Sequence, residues 1–424
     1  MISLLPCGTA TLHSPTVIRN VMKNHILVYF LLTTFSVVFS QKEDTLTAKL
    51  KQIQKESGFV GLAVAIFDEN RIIYSHGFGY SNKETKKPYD IKTLQKVASV
   101  SKTLIAVSLM KSIELGKINL DDDINKYLPY KVYNPFYPDE VITVRNLATH
   151  TSSIQNPMYY YSFLYEGTLP KAYKNIDDPK HKKQIKKYYT YLRKFGSDFS
   201  NFISIGEFLQ QRFDTLGKYY FPEEAFSKSI PGSKYSYSNE AITLLAYIIE
   251  QATGETIIDF TQKNILTPLN MSHSYWDYYR FNEKEPLEKS KEYWVGEEMP
   301  RMGSTSYPDG EFVTTIEDFI PFMQTMMKGY NGDSNILSKN SYLEMFNCQI
   351  DTTCKTRIVW RSTPTEIWHG GKGWGIRVDA GFNPETSIGY LIFCNTNYTP
   401  NAEEYNNAIF DLLREYPAQL EKIR

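Results

Sequence analysis

Apolar residues recur along this chain at two spacings, one helical and one of strands. The clearest helical stretch carries Ala241, Leu244, Leu245, Ile248, Ile249 and Ala252 on one face, and Gly254 follows at the place of a C-cap. It predicts an amphipathic helix with Asn239 as its N-cap. Leu46, Leu50 and Ile53 predict a helix over residues 44–56. Thr315-Ile-Glu-Asp318 reads as a capping box ahead of Phe319, Phe322, Met323 and Met326, with a kink expected at Pro321. Tyr405, Ala408, Ile409, Leu412 and Leu413 share one face of a closing helix. A further run, Leu104, Ile105, Val107, Leu109, Met110 and Ile113, is apolar almost all round and stops at Gly116. Such a helix is buried on every side.

Strand patterns flank these helices. Residues 60–67 and 72–74 form two apolar arms around Asp68-Glu-Asn70 and predict a β-hairpin covered on both faces. Near the end, Ile367-Trp-His369 opens a run of short strands that continues through 374–378 and 388–394. The order predicts a mixed α/β sandwich. Its antiparallel sheet is flanked by helices, with a helical region beside it. Residues 154–205 change character, being rich in tyrosine and lysine, and read as a helical insertion with a solvated face. No internal repeat or low-complexity linker interrupts the chain.

The length of 424 residues suffices for one large or two ordinary domains. The formal charge is zero, which argues against nucleic acid or an anionic membrane as a partner. The 32 tyrosines and 24 phenylalanines fit a well-packed protein rather than a disordered one. The four cysteines include no Cys-x-x-Cys pair, and His-Glu-x-x-His is absent, so neither a metal nor another cofactor is expected. Cys348 and Cys354 are candidates for a small disulfide loop, which spacing alone does not establish.

Residues 22–40 read as a signal peptide, with a short basic start, an apolar run from Ile26 to Phe39, and cleavage before Gln41. Residues 1–21 lack such a pattern, and Met22 is the expected true start. The mature domain is then 41–424, in a periplasmic or secreted setting. Contact with a membrane is expected only through this segment, if it stays uncleaved.

Chemistry concentrates in Ser99-Val-Ser-Lys102 at the start of the buried helix. Ser99 is expected at the helix N-terminus, with Lys102 one turn on and on the same side. Free N–H groups and the positive dipole end suit an oxyanion. Burial and the same field disfavour an ammonium, so a lysine there can accept the serine's proton.

Two further motifs follow in order, Tyr237-Ser-Asn239 and His369-Gly-Gly371. The set resembles the serine β-lactamase and penicillin-binding-protein superfamily, and most closely its class C β-lactamase-like branch of esterases and D-amino-acid peptidases. Leu147-Ala-Thr-His-Thr-Ser152, Pro231-Gly232 and Thr267-Pro-Leu-Asn-Met271 add to the likeness, which covers roughly residues 45 to 415. The resemblance implies Ser99 as nucleophile, with Lys102 and Tyr237 moving its proton. Asn239 would bind the acyl amide and orient Lys102. His369 and Gly371 would line the cleft on a strand, and the backbone N–H groups of Ser99 and Lys372 would form the oxyanion hole.

The expected function is therefore an extracytoplasmic serine hydrolase. It would act through an acyl-enzyme on ester or amide bonds of a small-molecule or peptide substrate. The alternative is a penicillin-binding or sensor protein of the same fold that does not turn over. An α/β-hydrolase is excluded by the absence of Gly-x-Ser-x-Gly. His369 stands where β-lactam-hydrolysing members usually carry lysine. An ordinary histidine is mostly neutral at pH 7, and the side chain of Lys372 is expected to point elsewhere. Esters and peptides are thus expected as better substrates than β-lactams.

Overall fold

The structure is a computed structural model. It describes residues 45–156, 203–277, 288–294, 296–333, 335–350, 356–373 and 375–421, with short pieces between 163 and 198. The chain divides into two compact units, Met1–Gln52 and Ile53–Arg424. In the first, residues 45–52 are described and are helical. The predicted signal segment lies outside the described residues. Among the described residues no helix is long and apolar enough to cross a membrane.

The second unit is built on one seven-stranded antiparallel sheet. Strand β1 (Gly61–Phe67) pairs with β2 (Ile72–Asn82) as the predicted hairpin, with a register shift at Ile66/Phe67. On its other side β1 pairs with the chain's last long strand, so the two ends of the fold meet at the sheet's centre. The order runs from the short strand Arg361–Ser362 through β3 (Ile367–Gly373), β4 (Ile376–Asn383) and β5 (Ile388–Cys394) to β1, β2 and Lys87–Pro88. Every residue of β1 is buried, as a strand covered on both faces requires.

The all-apolar run forms α1 (Lys102–Glu114), most of it buried. A short α2 (Val144–Ala148) starts at Thr143, where Thr143 and Asn146 form a complete capping box. Next come α3 (Ile205–Phe213) and α4 (Asn239–Thr253). Gly254 ends α4 with φ of 74°, as its sequence position predicts. Helix α5 (Ile316–Tyr330) is capped by the Thr315 side chain and runs on through Pro321. The Asp318 carboxylate bonds instead to Ser274 and to the backbone of His273. Phe319 of α5 packs on Phe393 of β5, covering the inner face of the sheet. The closing helix α6 (Ala402–Glu421) covers the outer face, where Phe410 meets Tyr390 edge-on at 5.1 Å.

Most of the Tyr/Lys-rich insertion lies outside the described residues. Its described residues are mixed: 179, 182, 183, 186 and 190 are helical, as predicted, while two short strands were not foreseen. Phe163–Tyr165 pairs with Met302–Ser304 on one side and Ser197–Asp198 on the other. Cys348 is disulfide-bonded, and Cys354 lies outside the described residues.

The strand entering the Ser99 segment is held by buried charge. Lys96 is 6% exposed and faces Glu311 at 2.8 Å, Asp277 at 3.5 Å and Glu292 at 3.8 Å. Burial alone would lower the lysine's pKa, but these carboxylates outweigh it and hold Lys96 above its usual range. Lys289 satisfies Asp277 from the other side, at 2.7 Å. Removing one member strands the rest without solvent. Lys96→Met is expected to destabilise the fold by about 3–5 kcal/mol, the scale of a broken buried ion pair. Chemical denaturation monitored by tryptophan fluorescence checks this, and an unchanged midpoint would contradict it.

Candidate active site

Ser99 does not sit on the α-helix itself. It lies in a 3₁₀ turn, Ala98–Ser101, and Lys102 opens α1. Val97 N–H donates to the Phe312 carbonyl at 2.9 Å, and Phe312 N–H donates to Ser101 Oγ at 3.1 Å. Ala98 then turns the chain with φ of 45°, a left-handed value that costs a non-glycine residue about 1 kcal/mol or more. The turn brings Ser99 Oγ between two donors. Lys102 Nζ lies 3.0 Å away, and Tyr237 Oη donates to it at 2.8 Å.

Lys102 is fully buried, as its place on a buried helix predicts. Its other partners are not foreseeable from the motif. Nζ donates to the backbone carbonyl of Asp309 and lies 3.9 Å from that residue's Oδ1. Thr243 of α4 donates to Asp309 Oδ2 at 3.0 Å. Negative charge thus stands beside the ammonium, a contribution absent from an argument on burial alone. The Lys102 nitrogen also lies 5.3 Å from the centre of the Tyr237 ring.

The Tyr-x-Asn segment is held by residues upstream of it. Ser238, not Asn239, is the N-cap of α4, accepting from Ala241 N–H at 3.0 Å. The shorter serine hydroxyl folds back on the helix, which frees the Asn239 side chain to line the cleft. Among the described residues Asn239 Oδ1 has no hydrogen-bond partner, and nothing joins its side chain to Lys102. Asn156 clamps the segment. Its Oδ1 accepts from Asn239 N–H at 2.8 Å, Ser238 Oγ at 3.1 Å and Glu240 N–H at 3.2 Å, and its Nδ2 donates to the Tyr237 carbonyl at 3.2 Å. His150 braces the same turn. Its Nδ1 accepts from Ser238 N–H at 3.2 Å, and its ring lies 4.6 Å from that of Tyr237. Burial first, then Lys102 and Arg361, push His150 down to about 3, so it stays neutral with its proton on Nε2.

Strand β3 forms the facing wall, and its two-residue alternation decides which side chains reach the cleft. Gly370 and Lys372 lie on the outer face with Trp368 and line the cleft. His369 and Gly371 point inward. His369 is fully buried, its Nδ1 lies 3.0 Å from the Gly370 carbonyl, and its Nε2 has no partner among the described residues. Burial, then Arg361, Lys102 and His150, hold its pKa well below the usual histidine value. The expectation for Lys372 is corrected by the same alternation, since its side chain lies on the cleft side, where Glu403 of α6 pairs with it. Gly371 brings β3 against the serine turn. A Cβ there would lie 2.3 Å from the Val97 carbonyl oxygen and 3.2 Å from Ser99 N. The backbone of β3 and the amide of Ser99 are therefore neighbours, the arrangement an oxyanion hole needs.

Arg361 was not foreseen. Its guanidinium lies 5.2 Å from the Tyr237 ring centre and 5.6 Å from that of Trp368. Fully buried Trp360 precedes it, and before that Val359, whose φ is 67° and whose N–H donates to the Ala148 carbonyl at 2.8 Å. Among the described residues no carboxylate pairs with Arg361. Ser99, Tyr237, Asn239 and Arg361 all open on one cleft of about 820 Å³.

The sequence profile of the beta-lactamase family matches residues 46–414. The chain belongs to the beta-lactamase family. The human serine beta-lactamase-like protein LACTB, mitochondrial, is 26% identical over 328 residues, covering 68% of this chain and 58% of that protein. The chain thus spans less than two thirds of that relative's length. The putative penicillin-binding protein PbpX of Bacillus subtilis is 24% identical, over 87% of this chain and 78% of its own. Among solved structures, the octameric penicillin-binding protein homologue from Pyrococcus abyssi superposes with a TM-score of 0.63 at 21% identity, over 87% of this chain and 77% of that one. EstCE1, a hydrolase with promiscuous acyltransferase activity, gives 0.62 at 19%, over 89% and 99%. The expected sheet-and-helix fold is the one these proteins share.

Asn156, Asp309 and Arg361 carry no motif of their own; His150 fell inside the stretch Leu147–Ser152, and Asn156 inside the insertion, where nothing marked it as part of the site. Asn156→Ala is expected to lower kcat by about tenfold or more, because a misplaced reacting group costs up to about a hundredfold. Asn156→Asp keeps the acceptors and adds favourable charge at the start of α4 but loses the donor to the Tyr237 carbonyl, so it should recover only part of the loss. Steady-state kinetics of the two variants decide it. Equal losses would show that the clamp does not act through hydrogen-bond acceptance.

Proposed function

We propose that this protein is a serine hydrolase that cleaves ester or amide bonds through an acyl-enzyme on Ser99. The observation that carries this reading is Ser99 Oγ held at 3.0 Å from Lys102 Nζ and 2.8 Å from Tyr237 Oη at the edge of an open cleft. Tyr237 and Lys102 act as one proton-handling pair. As Ser99 attacks, its proton passes to this pair, and the pair returns it to the leaving group. Asp309 sets negative charge 3.9 Å from Lys102 Nζ, beside the pair. Ser99 N–H and the backbone at Lys372 receive the oxyanion, and Asn239 receives the acyl amide.

The charge of the cleft revises the expected substrate preference. Neutral, buried His369 offers no fixed cation, but Arg361 does. We place a substrate carboxylate at Arg361, which suits peptide-like amides at least as well as neutral esters. A D-stereospecific amidohydrolase from Streptomyces, of similar fold at a TM-score of 0.59 and 19% identity over 86% of this chain and 98% of that one, supports this class.

Ser99→Ala is expected to abolish labelling by a fluorophosphonate or penicillin probe, read by peptide mass spectrometry. Lys102→Ala and Tyr237→Phe should each cut turnover by roughly 10²–10⁴-fold. Arg361→Ala should raise KM for carboxylate-bearing D-aminoacyl peptides about tenfold relative to neutral esters. Labelling that persists in Ser99→Ala would refute the nucleophile. A stable adduct without turnover would instead favour the penicillin-binding alternative.

Export is part of the same proposal. The apolar run Ile26–Phe39 and the disulfide at Cys348 both suit an oxidising compartment. N-terminal sequencing of the native protein should find Gln41 as the first residue, and an intact leader would argue against cleavage.

A further inference from the structure

The cleft beside Ser99 continues over the bare backbone of Gly370 onto the outer face of the sheet, beneath α6. Most charged groups there are matched. Arg414 grips Glu366 through two hydrogen bonds, at 2.7 and 2.8 Å, and the Tyr390 hydroxyl adds a third at 3.2 Å. Glu403 takes both Lys372 and Arg377, the latter at 2.9 Å. Asp411 lies 3.9 Å from Arg414. Arg361 remains on one side of β3, and one carboxylate oxygen remains on the other.

That oxygen belongs to Asp379, opposite Gly370 in the β3–β4 register. Asp379 is only 7% exposed. Its Oδ2 accepts from Asn406 Nδ2 at 3.2 Å and lies 3.6 Å from Arg377 Nε. Its Oδ1 accepts no hydrogen bond from the described residues and lies directly under Gly370, where an added Cβ would stand 3.0 Å from it. The glycine leaves Oδ1 uncovered beside the Trp368 ring, which stands 3.1 Å from the same point, and Asp379 lines the cleft there. Such an oxygen gains most from a cationic donor, because water screens it little.

We propose that Asp379 binds a protonated amine of the substrate, so that the cleft takes dipolar, dipeptide-sized molecules with the carboxylate at Arg361 and the ammonium at Asp379. This deepens the hydrolase reading and rests on it for the identity of the substrate. Strand geometry fits the span. Arg361 pairs with Trp368 on one side of β3, and Asp379 pairs with Gly370 on the other. Two inter-strand spacings and two residues along the strand separate their Cα atoms by roughly 12 Å, and the long arginine side chain shortens the gap between charges.

Proton binding makes the site pH-dependent. Burial pushes the Asp379 carboxyl up to about 6 against the pull of Arg377, Asn406 and Lys372. Glu403 of α6 and Tyr390 of β5 stand on the same face. Below that value Asp379 is neutral, while an aliphatic amine stays protonated. The preference for an amine must therefore weaken as pH falls through 6.

The test is competitive binding of unbranched ω-amino acids to the full chain. Aminobutanoate, aminohexanoate and aminooctanoate are compared with carboxylates of equal length that lack the amine. Near pH 7.5, at least one amino acid should bind about tenfold more tightly than its control, and this ratio should approach one by about pH 5. Asp379→Asn removes the charge. Gly370→Ala keeps it but covers Oδ1, so both should erase the ratio, with circular dichroism reporting their folding. Equal binding of amino acids and controls at every pH, or a ratio unaffected by either variant, overturns the proposal. Turnover of a neutral ester by the unmodified chain is measured in parallel. Its absence would overturn Ser99 hydrolysis, while the binding ratio still decides the role of Asp379.

Discussion

The close approach of β3 to the turn carrying Ser99 constrains everything else in the site. At Gly371 the strand comes so near that a methyl group would lie 2.3 Å from the Val97 carbonyl oxygen, well inside contact distance. Only a residue without Cβ permits it. The approach fixes the Ser99 amide against the strand's backbone on one side. On the other, Lys102 Nζ and Tyr237 Oη converge on the hydroxyl. A wider gap would separate Ser99 from the facing wall of the cleft.

Holding that geometry requires strain. Ala98, His150 and Val359 adopt left-handed backbone angles although none is glycine. Each costs of order 1 kcal/mol or more, and for β-branched valine the conformation is a genuine outlier. All three are buried next to residues of the cleft: Ala98 precedes Ser99, the His150 ring packs on Tyr237, and Val359 lies two residues before Arg361. Buried hydrogen bonds and packing offset the cost: Val97 to Phe312, Ser238 to His150, and Val359 to Ala148. The site is thus set in advance by a rigid frame rather than by flexible glycine loops, as electrostatic stabilisation of a transition state requires.

The sequence made the frame legible where a single periodicity governs. The helix from Ala241 to Gly254 and the apolar run after Lys102 follow from spacing, and the hairpin around Asp68–Asn70 from turn chemistry. The three ordered motifs also located Ser99, Lys102 and Tyr237, which the fold brings within hydrogen-bonding range. What stayed hidden depends on contacts between distant segments. Asp309 reaches Lys102 across more than two hundred positions, and Asn156 reaches Tyr237 across an interval of 81 residues. No local pattern marks either. The cap of α4 moved by one residue because Ser238 and Asn239 are both good caps, and only the tertiary hold of Asn156 on the backbone separates them.

The motif alone does not locate the charge of the cleft. Motif comparison directs attention to His369 and its missing cation, yet strand alternation sends that side chain into the core. The same alternation turns Lys372 toward the cleft, where Glu403 neutralises it. A cation counted from the motif is therefore absent, and one counted from exposure is already paired. The charge that matters is what remains after every internal pair is formed, since a paired ion in a partly buried cleft has little left to offer a ligand. Among the described residues Arg361, stacked on Tyr237 and Trp368, has no carboxylate partner, and Asp379, though 3.6 Å from Arg377, keeps one oxygen without a hydrogen bond on the cleft side. The strand between them bears no side chain at Gly370. A ligand joining these two groups would therefore cross β3 beside Ser99.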